Sequence, residues 1–272
     1  MRSSTSGSRS APCAASFGAA ALLLATTSSL PRAKPEAAGW TTRLRRGLQY
    51  VSSHRQLRLL LTAQAMAFVF FAVVIPIEVV FAKRTLGAGD AGYGALLASW
   101  GAGMVVGGLA FAFLRRTELR ILLPASTLAI GCAYLATGAA PTLLVACIAS
   151  SVGGAGNGIQ WVALITAVQQ LTRTDYQARV ISLLESLGTA MPGLGFVIGG
   201  AVTAIFNPRA SFVVAGAGVL AVLAVASVTL SRTGWRGEPA EELAPPTEPS
   251  PPGAAVAHTP GGAALEAPDT PH

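Results

Sequence analysis

Between Ile121 and Thr172 the chain carries not one Asp, Glu, Lys or Arg. No soluble fold exposes such a run or packs it easily, since an ordinary soluble domain is about 25% charged. In this chain charged residues are 11% and hydrophobic ones 52%. What charge there is falls between apolar runs, the mark of a protein whose solvent is a bilayer. Crossing a hydrocarbon core of about 30 Å takes roughly 20 helical residues. Six segments reach that length: about Leu57 to Ala82, Ala91 to Leu114, Ile121 to Gly138, Pro141 to Leu171, Tyr176 to Phe206 and Ala210 to Leu230. The expected fold is an all-α, polytopic membrane bundle of six helices over residues 58–231. Pro76 and Pro192 should kink the first and fifth helices, because each removes a backbone donor. Asp90 is placed to cap the second, and Pro124 and Pro141 to sit in the first turns of the third and fourth.

The flanks have a different composition. Residues 1–12 are polar and expected to be disordered. Residues 13–30 are uncharged, with a strongly apolar centre from Ala19 to Ala25. They fit either a signal peptide, with Arg2 and Arg9 at its basic end, or a weak or partial transmembrane helix. The basic linker over 31–57 bears on the choice: Arg32, Lys34, Arg43, Arg45, Arg46 and Arg55, with Arg58 just beyond. A cleaved signal would leave that cluster outside, against the positive-inside rule, which favours the helix. Trp40, Leu44, Leu48 and Val51 recur at helical spacing within the linker, as in an interfacial amphipathic helix; a solvated basic linker is the alternative. Residues 232–272 are rich in Pro, Ala and Gly, carry acids and lack apolar periodicity, so disorder is expected.

Loop charge sets an orientation. Arg115, Arg116, Arg120, Arg173, Arg179, Arg232 and Arg236 fall on the same side as the basic linker, and only Lys83, Arg84 and Arg209 on the other. The linker and the C-terminus are therefore expected in the cytoplasm, with the chain multi-pass in the cell membrane. Short connectors make sequential helices antiparallel neighbours. Gly103/Gly107, Gly154/Gly158 and Gly195/Gly199 are GxxxG spacings that let backbones approach closely in lipid.

Polar groups inside the spans need an explanation, because lipid does not solvate them. Glu185 lies about nine residues into its helix, roughly 14 Å deep. Ser182, Ser186 and Thr189 share its face, a stripe expected to look into the bundle. A carboxyl there can exchange a proton for substrate, or it can pair with Arg179 or helix groups and fix packing. Glu78 stands near the outer end of the first span, where pairing with Lys83 or Arg84 or snorkelling competes with a pathway role. Asn157, Gln160 and Trp161 form one patch on the fourth helix, suited to substrate contact or to interhelical hydrogen bonds. Gln64 is a weaker candidate of the same kind. These five polar residues, Glu185, Asn157, Gln160, Glu78 and Gln64, are the candidate substrate and proton pathway.

Other chemistry finds no support in the sequence. Cys13, Cys132 and Cys147 lack metal-ligand spacing and a disulfide pattern. There is no HExxH, GxSxG or P-loop, so no enzyme, metal or cofactor is expected. The basic balance reads as membrane orientation and not as a nucleic-acid surface.

The chain resembles the C-terminal half of a major facilitator superfamily permease over residues 40–231. The glycine-rich helix from Gly153 to Gln170, the connector Leu171 to Val180 and the helix from Ile181 to Gly200 are similar to helices ten and eleven of drug and siderophore exporters. Gln169 or Gln170 and Arg179-Val180 fit the family's loop pattern, while Thr174 and Ala178 depart from it. Residues 14–34 are similar to the end of helix six entering the central loop. The half-repeat signature is reduced to Gly107 through Arg116, without its acidic residue. The resemblance implies half of a major facilitator fold and an efflux-type permease, proton-coupled, for drug-like or siderophore-like small molecules. It also implies a truncated half, since the family's substrate path lies between two halves. The partners expected are the lipid bilayer, a small-molecule substrate, and a second transporter half or a homodimer. The alternative is a non-transporting membrane protein, an inactive remnant or a helix-packing partner.

Overall fold

The computed structural model describes residues 40–114 and 116–233. The weak helix at 13–30, residues 31–39 of the basic linker and residues 234–272 of the acidic tail lie outside the described residues. The chain divides into two compact units, residues 1–43 and 44–272, and the bundle belongs to the second. Seven helices form among the described residues: α1 (Trp40–Ser53), α2 (Arg55–Val74), α3 (Gly89–Phe113), α4 (Leu119–Ala139), α5 (Leu143–Leu171), α6 (Thr174–Ile205) and α7 (Pro208–Thr233). α2 resumes after a break as a single turn, Glu78–Val80, and a wide π turn, Phe81–Thr85. Counted with that extension, six helices are long and apolar enough to span a membrane, as the charge-free runs require.

Proline and capping explain the boundaries. Pro76 lacks an N–H, and the regular helix stops at Val74, two residues before it. The connector to α3 turns through Gly87 and Gly89, at φ of 63° and 62°, a left-handed conformation that favours glycine. Ala88, not Asp90, holds the cap position of α3; Asp90 sits in the first turn and pairs with Lys83. α5 begins at Leu143 instead of Pro141, because the Thr142 hydroxyl accepts from Val145 N at 3.4 Å. Pro124 lies inside α4, which starts at Leu119, and so falls in its second turn. Pro192 lies inside α6 without ending it.

Packing follows a path through the bundle: α3 on α5, α5 on α4, α4 on α7, α7 on α2 and α2 on α6. Each GxxxG pair sits at one of these seams. A Cβ on Gly103 or Gly107 would collide with the carbonyl of Ser151 or Ala155, and one on Gly154 or Gly158 with that of Trp100 or Met104. Gly195 and Gly199 are pressed in the same way onto Val69 and Val73. The absence of a side chain is what allows these backbones to touch.

Two apolar cores result. One gathers Val73, Phe81, Ile130, Tyr134 and Phe212, with Trp100 stacked on Tyr134 at 5.5 Å and Phe81 tilted on Phe212 at 4.7 Å. The other gathers Leu57, Leu61, Leu164, Val168, Val180 and Leu184, and takes in Val51 of α1. The second core lies at the end where α1, the α3–α4 connector and the α5–α6 connector meet, called here the basic end. α1 is the helix that the Leu48 and Val51 spacing predicts. It is fastened by Tyr50, whose ring stacks on Tyr176 at 4.3 Å and whose hydroxyl accepts from Arg173 N at 3.1 Å.

Candidate functional site

Between the two cores the helices part around α2 and α5. A cavity of about 240 Å³ lies among α2, α5 and α6, with contributions from Ile130 and Val219. Gln64, Asn157, Gln160 and Trp161 all line it, facing Phe68 and Phe71. The i, i+3 and i+4 spacing of Asn157, Gln160 and Trp161 delivers them to one side of α5, while Gly154 and Gly158 turn the adjoining side to α3. Asn157 and Gln160 are half-buried. The Phe68 and Trp161 rings stand 6.5 Å apart. Polar amides beside an aromatic wall suit an amphiphilic small molecule.

A second, larger cavity of about 570 Å³ opens on the other side of the same contact, among α2, α4, α5 and α7 towards the basic end. Gln64 and Gln160 line both cavities. Gln160 is held there by α4: its Nε2 donates to Thr127 Oγ1 at 2.8 Å. Of the two roles open to that amide, the interhelical hydrogen bond is therefore present, and the same side chain still borders both spaces.

The carboxylates are placed differently from the amides. Glu185, Ser182, Ser186 and Thr189 do share one face of α6, but that face is exposed and looks away from the other described helices. The expectation of an inward stripe is corrected: α6 uses its Gly195/Gly199 side for α2, which turns the polar stripe outward. The three hydroxyls of the stripe bond to the helix itself, to Ala178, Ser182 and Glu185 carbonyls. Glu78 is half-buried. It does not pair with Lys83, which the helix break and π turn direct to Asp90 instead. Glu78, Glu185 and the amide cluster are thus three separate places, not one site.

Arg209 was legible in the sequence only as a loop charge. In the fold its Nη1 donates to the Gly138 and Ala140 carbonyls at 2.6 and 2.8 Å, and its guanidinium lies 5.6 Å from the Phe81 ring centre. It caps α4 and joins α2, α4 and α7 at the end opposite the basic one. Arg209 is the second residue of α7 and its partners close α4 some seventy positions earlier, so no spacing in the sequence finds the contact.

Among the described residues no group of His, Cys, Asp and Glu is arranged to hold a metal ion. Comparison of the sequence with family profiles gives the Major Facilitator Superfamily over residues 60–264. Among curated proteins no match is found.

Proposed function

Because the chain belongs to the Major Facilitator Superfamily, whose members are multi-pass membrane transporters, we propose that its bundle forms one wall of an efflux-type path for drug-like or siderophore-like small molecules. The observation that carries this reading is the convergence of Gln64, Asn157, Gln160 and Trp161 on one cavity beside Phe68 and Phe71. Amides supply directional contacts and the rings an apolar surface, so a substrate with both characters is recognised. Proton coupling falls to a carboxyl able to change charge during the cycle, with Glu185 on the open face of α6 and half-buried Glu78 as the two candidates. The basic end faces the cytoplasm, as loop charge favours.

A second reading is supported by the same open faces. Only 11% of the apolar window of α6 and 17% of that of α3 is buried, against 39% for α2 and α5. Such surfaces suit a bundle that packs against further helices and moves nothing on its own. Proteoliposomes with an acidic interior separate the two. Accumulation of ethidium or an iron-loaded siderophore, lowered at least tenfold by Asn157→Leu with Gln160→Leu and abolished by Glu185→Gln or Glu78→Gln, supports transport. No accumulation, alone or after co-reconstitution with a second six-helix half, overturns it and leaves the packing role.

A further inference from the structure

The larger cavity has a chemistry of its own, distinct from that of the amide and aromatic pocket. Its mouth at the basic end carries Arg55, the first residue of α2, and Arg120, in the first turn of α4. Its walls are apolar, with Leu59, Leu123 and Leu223 among them, and its floor is the Gln160–Thr127 hydrogen bond beside Gln64. We propose that this cavity binds one anionic phospholipid from the leaflet at the basic end, its phosphate on Arg55 and Arg120 and one acyl chain inside.

Depth, charge and wall chemistry agree on that occupant. From Arg55 to Ala67 the lining of α2 runs twelve residues, about 18 Å at the helical rise. That is close to half of a hydrocarbon core about 30 Å thick, the reach of a single leaflet. The volume of about 570 Å³ lies within the range of about 300–1,000 Å³ usual for small-ligand sites. Leucine walls leave water few partners, so an apolar chain is the better filling. Guanidinium groups bind phosphate through paired N–H donors, and basic pockets between membrane helices at the headgroup level select acidic lipids. Glu118 pairs with Arg120 through Nε, which leaves the terminal nitrogens of Arg120 to a ligand. With Arg55 included, the mouth keeps a net positive charge. The binding site does not depend on whether the chain transports anything.

Native mass spectrometry of the full chain in detergent, titrated with dioleoylphosphatidylglycerol or dioleoylphosphatidylcholine, tests the assignment. The expected result is one tightly retained phosphatidylglycerol and at least tenfold weaker retention of phosphatidylcholine. Arg55→Gln combined with Arg120→Gln should weaken phosphatidylglycerol at least tenfold. Ala63→Phe, which fills the cavity and leaves both arginines, should do the same. Ala63→Leu replaces it if thermal unfolding shows the larger side chain is not accommodated. Equal retention of the two lipids overturns the proposal. So does retention that survives either the arginine pair or the filled cavity, since the lipid is then held elsewhere. Displacement by millimolar inorganic phosphate also overturns it, by assigning a free-anion site in place of a lipid site.

Discussion

α5 and α6 are adjacent in the chain, similar in length and both carry a GxxxG pair, yet they occupy opposite situations. α5 is pressed between α3 and α4 and offers its remaining side to the amide and aromatic cavity. α6 rests one glycine edge on α2 and leaves most of its circumference open. The difference lies in how many neighbours each helix has, not in composition. Polar residues on a helix with neighbours on several sides become cavity walls. The same kinds of residue on a helix with one principal neighbour become surface. Asn157 and Gln160 are of the first kind, and Glu185 is of the second.

The α3–α5 seam should give the largest response. Gly158→Leu or Gly107→Leu places a side chain on a backbone carbonyl, and a loss of about 3 kcal/mol or failure to fold is expected. Gly101→Leu, on the open side of α3 with nothing within 4 Å of its Cβ position, should change stability by less than about 0.5 kcal/mol. Thermal unfolding in detergent compares the three, and equal effects at the three positions would remove the seam from the account. Next comes Arg209→Ala, which strips two carbonyls at the end of α4 of their donor. A cost of about 2 kcal/mol is expected for a charged hydrogen-bonding group, and a fall in the unfolding temperature is the readout. Gln160→Leu should cost about 0.6 kcal/mol, the usual size of an interhelical hydrogen bond in a membrane protein. In a double-mutant cycle with Thr127→Val the two losses should be non-additive by about that amount, and additive losses would show the bond is not formed. Smallest is Glu185→Gln: on the open face it should shift stability by less than about 0.5 kcal/mol, measured in the same way. A large loss there would place the carboxyl in a buried contact and end the contrast between the two helices.

The spans were legible because length and apolarity are enough to mark a helix in lipid. The glycine seams were legible because spacing alone sets which residues share a helix face. The clustering of Asn157, Gln160 and Trp161 followed from the same spacing. What could not be read was the direction in which a face looks. The stripe of Ser182, Glu185, Ser186 and Thr189 was correctly placed on one side of its helix, but its outlook depends on where α2 packs. Helix starts moved by a few residues wherever a cap competed with a proline, as Thr142 does beside Pro141. Glu78 and Lys83 are close enough in sequence to suggest a pair, yet the break at Pro76 and the π turn send Lys83 to Asp90. Arg209 reaches carbonyls about seventy positions earlier, a contact that only the closed bundle creates.

The turn between α2 and α3 bears on how the protein enters the membrane during synthesis. With two glycines in left-handed conformation and a connector of few residues, the two spans are built to insert together as a helical hairpin. With the basic end in the cytoplasm, as proposed from loop charge, their shared tip has to cross the hydrocarbon region, and it carries Lys83, Arg84 and Asp90. The pairing of Lys83 with Asp90 neutralises part of the charge that has to be translocated. A substitution at Asp90 would then raise the barrier to insertion more than it lowers the stability of the finished bundle.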